Sequence, residues 1–90
     1  MATIKFTYAL KRFYPKLDTL ELPAKNVNTV VHALDDTYPG IKDYLIDEQG
    51  QLRKHVNIFV DGDLIQDRTT LQDTLKEDSE VYIMQALSGG

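Results

Sequence analysis

The longest helical periodicity in this 90-residue chain runs from Val30 to Tyr38. Val30, Val31, Leu34 and Tyr38 recur three to four residues apart, the spacing of one helix face. Asn28 stands ahead of them with a side-chain oxygen suited to a helix cap. Pro39-Gly40 closes the run, because the residue before a proline is pushed out of the helical region. Asp35 and Asp36 fall near the C-terminal end, where the helix dipole mildly disfavours them, so they are expected to be solvated.

Around this helix the pattern is β. Ile4, Phe6, Tyr8 and Leu10 alternate with Lys5 and Thr7, as in a half-buried strand. Leu17-Asp18-Thr19-Leu20-Glu21-Leu22 returns as a second strand stopped by Pro23, with Pro15 in the turn between them. His55-Val56-Asn57-Ile58-Phe59-Val60 is the strongest strand, followed by Asp61-Gly62, a favoured two-residue hairpin turn. Leu64-Ile65 reads as a short edge strand, and Glu80-Val81-Tyr82-Ile83-Met84-Gln85 as the last strand. Residues 41–52 carry one clear signal, a turn at Glu48-Gln49-Gly50. Leu71 and Leu75, four apart, predict a short helical turn. A hairpin, one long helix and further strands make an α+β domain with the helix on one sheet face.

Ninety residues bury little more than about 60% of the unfolded surface, which leaves scant room for a deep active site. The absence of cysteine excludes disulfides, thiolate metal sites and cysteine nucleophiles. A net charge of −4 argues against a nucleic-acid partner. Lys11, Arg12 and Lys16 around Phe13 and Tyr14 therefore read as a solvated loop. His32 and His55 have no ligand partners at metal-site spacing. Asp61-Gly62-Asp63 lacks the remaining ligands of a calcium loop. Ser88 has no partner base and no strained elbow, and no phosphate-cradling loop is present. No apolar run can span a membrane, and the start lacks the pattern of a secretory signal, so a cytoplasmic protein is expected.

Period two also assigns faces in the last two long strands. With Ile58, Val60, Val81 and Ile83 inward, Phe59, Tyr82 and Met84 point outward and form an apolar patch beside the C-terminal residues. Those residues are Ala86-Leu87-Ser88-Gly89-Gly90. At an average glycine usage of about 7%, two in the last two places is about a 0.5% coincidence.

In this order, the hairpin, the helix, "PGIKDYLIDEQGQLRKHVNIFVDGD" (residues 39–63) and "LKEDSEVYIMQALSGG" (residues 75–90) resemble the ubiquitin-like sulfur-carrier proteins. That group includes the thiamin-pathway carrier, the small subunit of molybdopterin synthase and the small modifiers related to them. The resemblance implies a single-domain β-grasp fold over residues 1–87, a mixed sheet with one main helix on one face, and a flexible tail over residues 88–90.

It also implies a carrier and not an enzyme. An adenylating enzyme of the ubiquitin-activating type, using its own ATP, activates the carboxylate of Gly90. A sulfur donor, desulfurase or rhodanese-like, converts it to a thiocarboxylate. A sulfur-accepting enzyme or large subunit then takes the sulfur. The chain itself binds no cofactor and no metal. Ser88 and Gly89 thread the tail into the partner, since glycine has no Cβ to obstruct a narrow channel. Phe59, Tyr82, Met84 and Leu87 are the expected partner-binding residues. Two alternatives stay open: a modifier joined through Gly90 to lysines, and an interaction domain whose end is never activated.

Overall fold

The computed structural model describes residues 1–11 and 17–85. Its elements are β1 (Ala2–Phe6), α1 (Tyr8–Lys11), β2 (Leu20–Leu22), α2 (Val27–Thr37), α3 (Ile41–Leu45), β3 (Val56–Val60), β4 (Asp63–Leu64) and β5 (Glu80–Gln85). The five strands form one mixed sheet in the order β2-β1-β5-β3-β4. The pair β1–β5 is parallel, and the pairs β1–β2, β3–β5 and β3–β4 are antiparallel. The last strand in sequence thus lies at the centre of the sheet.

One face of this sheet is buried beneath the helices. Ile4, Ile58, Val81 and Ile83 from the strands meet Val30, Val31 and Leu34 from α2, all with no measurable exposure. Burial of one such side chain contributes about 1.5–3 kcal/mol. Ile41 and Leu45 add α3 to the same core.

The first hairpin departs from the expected strand. β1 ends at Phe6, and the amide of Thr7 donates the last sheet hydrogen bond, to Ile83 O at 3.1 Å. A single helical turn follows, closed by Lys11 N–H to Thr7 O. Leu10 reaches the core from that turn and not from a strand. One buried leucine at the end of an alternating run satisfies either geometry, so the pattern alone did not separate them. Residues 12–16, where the loop with Phe13 and Tyr14 was expected, lie outside the described residues.

The cap of α2 is Asn26, not Asn28. Asn26 is extended (φ −152°, ψ 172°), and its Oδ1 accepts from Thr29 N at 2.9 Å. Asn28 already lies in the first turn. The other free amides of that turn go to the loop before β5: Val27 N–H to Asp73 O at 3.2 Å and Asn28 N–H to Leu71 O at 2.8 Å. A helix leaves its first amides without internal acceptors, and here another segment supplies them.

That segment explains a second departure, since Leu71 and Leu75 form no helical turn. Both are buried, Leu71 with a left-handed backbone (φ 58°), and Thr74 bridges to Asn26. Two carboxylates hold the loop in this shape. Asp67 accepts from Thr69 N (3.1 Å), Thr70 N (2.9 Å), Gln72 N (3.1 Å) and the Thr70 hydroxyl. Asp73 accepts from Gln66 N (3.0 Å) and Asp67 N (2.8 Å).

Asp35 is likewise not simply solvated. Its Oδ1 accepts from Gly40 N (3.0 Å) and Lys42 N (3.1 Å), so the acid that ends α2 caps the start of α3. Gly40 makes the turn between them with φ 96°, a conformation that costs glycine little.

Two predictions test these assignments. Asn26→Ala should lower stability by about 1 kcal/mol, and Asn28→Ala by clearly less, in urea melts. Asp67 has its carboxyl held well below the ordinary range, first by the Thr70 hydroxyl, then by the amides of Thr70, Gln72 and Thr69, against a smaller opposing effect of burial. A carboxyl lowered on folding stabilises fully above its unfolded pKa and loses that contribution as pH falls through the folded one. The melting-temperature gap between wild type and Asp67→Asn should therefore be widest at about pH 7 and narrow steadily below about pH 4. An equal gap at both extremes would contradict the assignment.

Candidate functional site

The sheet face turned away from the helices carries an apolar row that crosses three strands. The Asp61-Gly62 turn, with φ 51° and 89°, pairs Val60 with Asp63 and Phe59 with Leu64. Phe59 pairs on its other side with Tyr82, and Tyr82 with Lys5 of β1. Cross-strand partners share a face, so Leu64, Phe59 and Tyr82 lie side by side. Met84, opposite Asn57, is the next outward residue along β5.

Leu64 is 48% exposed, Tyr82 and Met84 are each 37% exposed, and Phe59 is half-buried. Phe59, Gly62, Glu80, Tyr82 and Met84 line a shallow hollow of about 250 Å³. The expected facing of Phe59, Tyr82 and Met84 is therefore the observed one, with Ile58, Val81 and Ile83 beneath them in the core. Leu64 was missed as part of this face. Counting two positions back and forward across the Asp61-Gly62 turn would have placed it opposite Phe59.

The rim is polar and held in place. Lys5 Nζ lies 3.3 Å from Glu80 Oε2. Asp61 accepts from Glu80 N and from the Ser79 hydroxyl, both at 2.9 Å, which ties the β3–β4 turn to the start of β5. These two hydrogen bonds, the Glu80 amide foremost, lower the Asp61 pKa; nearby Lys76 assists, while burial works weakly against them. On the far side Arg68 donates to Asn57 Oδ1 (3.0 Å), Val56 O (2.9 Å) and Arg53 O (2.7 Å), closing the edge of β3 that β4 leaves uncovered.

At the end of β5 stands Gln85, paired with Val56. Its side chain turns to the helix side, where Nε2 donates to the hydroxyl of Tyr44 on α3 at 2.8 Å. Gly90, Gly89, Ser88 and Leu87 lie outside the described residues. The chain enters them from Gln85, on the strand that carries Tyr82 and Met84. Another hollow, of about 510 Å³, lies elsewhere, around Met1, Pro23, Asn26 and Glu77. It sits at the end of the sheet where β1 and β5 begin, a strand length from Gln85.

Among the described residues no group of three or more His, Asp or Glu side chains is placed to hold a metal ion. His32 and His55 are both exposed, His55 with its imidazole edge-on to the Tyr44 ring at 6.2 Å. No described helix is long and apolar enough to cross a membrane.

No curated protein matches this sequence. Solved structures do match its fold. CysO of Amycolatopsis orientalis, in the BexX/CysO complex, superposes with a TM-score of 0.84 at 19% identity, covering 100% of both chains. CysO of Mycobacterium tuberculosis, described as an antigen, gives 0.81 at 21% identity over 97% of this chain and 100% of its own. Small archaeal modifier protein 1 of Methanosarcina acetivorans gives 0.79 at 25% identity over 99% of this chain and 95% of its own. These establish the β-grasp architecture. A family model reaches further, because the ThiS family matches residues 5–90 and so takes in the sheet, the outer face and the Gly-Gly end together. The chain belongs to the ThiS family, the ubiquitin-like sulfur carriers.

Proposed function

We propose that the reacting group of this carrier is the carboxyl of Gly90, delivered to an adenylating partner that docks on the outer sheet face. The supporting observation is one of placement. The strand bearing Tyr82 and Met84 leads directly into the residues that end in Gly89-Gly90, and the family match runs through them. A carboxyl of this kind has a reference pKa of about 3.3–3.7, so it is ionised and a poor electrophile at neutral pH. It needs activation as an acyl adenylate, with pyrophosphate leaving. The persulfide of a sulfur donor, desulfurase or rhodanese-like, then attacks the acyl carbon and expels AMP to give an acyl disulfide. A thiol cleaves its S–S bond, ending as a disulfide with the donor cysteine, and leaves the thiocarboxylate, which a sulfur-accepting enzyme or large subunit draws on. ATP is bound by the partner and not by this chain, and an ATP-consuming partner argues for a cytoplasmic reaction. Gly89 and Ser88 thread the partner's channel, and Leu87 joins Phe59, Tyr82 and Met84 in docking.

A second reading is conjugation through Gly90 to lysines of other proteins. The relative at 25% identity is named a modifier, which favours it. Gly-Gly remnants on lysines of host proteins would establish that role beside the carrier one.

Two experiments test the proposal. Phe59→Asp and Met84→Asp should each weaken partner binding by about 2 kcal/mol, roughly 30-fold, with melting temperatures near wild type. A melt that collapses first would mean these side chains hold the fold and not the partner. Deletion of Gly90 should abolish ATP–pyrophosphate exchange with the host's adenylating enzyme while leaving stability within about 0.5 kcal/mol. One residue fewer draws the carboxyl back by up to about 3.6 Å, outside a near-attack distance of roughly 3–3.5 Å. Full exchange by the shortened protein would exclude Gly90 as the reacting end.

A further inference from the structure

We infer that the Gln85–Tyr44 hydrogen bond fixes the point and direction from which the reactive tail leaves the sheet, so that both are positioning residues for activation of Gly90. The inference rests on the carrier reading above and adds to it two residues outside the docking face.

The geometry is that of a clamp on a fixed post. Gln85 is the final residue of β5, and its backbone pairing with Val56 is the last of the ladder. The side chain reaches to the helix side and donates from Nε2 to Tyr44 Oη at 2.8 Å. Tyr44 sits on α3, and α3 is tethered independently of β5. Asp35 holds its first turn through Gly40 N and Lys42 N. Ile46 bridges Leu52 just past its end, and Arg53 binds both Leu45 O (N–H, 3.0 Å) and Asp43 O (Nε, 3.0 Å). Ile41 and Leu45 are fully buried. His55 packs its ring edge-on against Tyr44. A strand end joined to such a post cannot fray or swing without breaking the bond.

Stability alone does not account for a glutamine here. Its position alternates with Val81 and Ile83 on the inward face. Its Oε1 is buried and accepts no hydrogen bond from the described residues, so among them the amide is only half satisfied. An unmet buried acceptor is destabilising, and an apolar residue of similar shape removes that cost. Leucine would serve the core at least as well and would give up the directional bond to Tyr44.

The consequence for activation follows from chain length. Gly90 lies five residues beyond Gln85, a reach of at most about 18 Å. If Met84 and Gln85 detach, the length of chain between the last sheet-paired described residue and the reacting end grows from five residues to seven. The effective concentration of its end falls as about the −3/2 power of length, a factor of roughly 1.7. Loss of direction adds to this, since a 1 Å misplacement of reacting groups can cost up to about 100-fold.

The test uses Tyr44→Phe and Gln85→Leu in the full chain with the adenylating enzyme of its host. In both variants kcat for ATP–pyrophosphate exchange should fall about fivefold or more, between those two bounds. KM for the carrier should stay within about twofold, because the docking face is untouched. Gln85→Leu should melt at or above the wild-type temperature. Gln85→Glu, which still accepts a hydrogen bond from the Tyr44 hydroxyl, should recover part of the lost kcat. Wild-type kcat in both Tyr44→Phe and Gln85→Leu would overturn the inference and leave the carrier reading standing. So would a fall in kcat matched by an equal fall in stability. No exchange by the wild-type chain with that enzyme would take down the carrier reading and this inference together.

Discussion

The central placement of β5 is the constraint on which the rest of the molecule depends. It is the last strand in sequence, yet it pairs in parallel with β1 and antiparallel with β3. A parallel neighbour requires the chain to cross over and return, and the residues between β1 and β5 provide the crossover, including α2, the long helix of the buried layer. Alternation then divides β5 between two tasks. Val81 and Ile83 close the core, while Tyr82 and Met84 stand in the outer face. A one-residue slip would exchange those sets and bury Tyr82 and Met84, so the register that stabilises the fold also presents the outer face.

Keeping β5 in place requires the loop before it to be as well defined as the strands. Residues 66–75 have no regular structure, but few of their polar groups are idle. Asp67 and Asp73 satisfy the loop's own amides. Leu71 and Asp73 turn their carbonyls to the first amides of α2, and Leu75 donates to Lys25 O at 2.8 Å. Helix and loop therefore complete each other's hydrogen bonding, and Leu71 fills the core from a left-handed backbone. Strain of this kind persists only where surrounding contacts over-determine the conformation.

The sequence was legible where period and turn chemistry act locally. Pro39-Gly40 stopped the helix, Asp61-Gly62 made the tight turn, and alternation assigned the faces of β3 and β5. It misled where a residue's partner is distant. Asn26 and Asn28 are equally good caps on local grounds, and the choice between them is made by carbonyls of residues more than forty positions away. Leu71 and Leu75 kept helical spacing, but two aspartates offered the backbone a competing set of bonds. Asp35 looked like a solvated acid until the turn at Gly40 brought α3 back beneath it. Of the site, the outward side chains were visible from periodicity. The Gln85–Tyr44 contact was not, because it joins residues 41 positions apart through side chains alone.

The arrangement also bears on what a partner must look like. A tail ending Ser88-Gly89-Gly90 offers little side-chain surface for recognition, so specificity has to come from the sheet face upstream. Under the proposed function, docking there makes the meeting of carboxyl and ATP an intramolecular event, provided the span between them matches the tail. Because Gly90 lies five residues beyond Gln85, the nucleotide of an enzyme that activates it must come within about 18 Å of Gln85. A partner whose apolar docking surface and nucleotide are farther apart would bind this chain well and leave it unactivated. Under the proposed function, affinity and activation are set by different parts of the molecule: the outer sheet face serves the first, and the Gln85–Tyr44 contact serves the second.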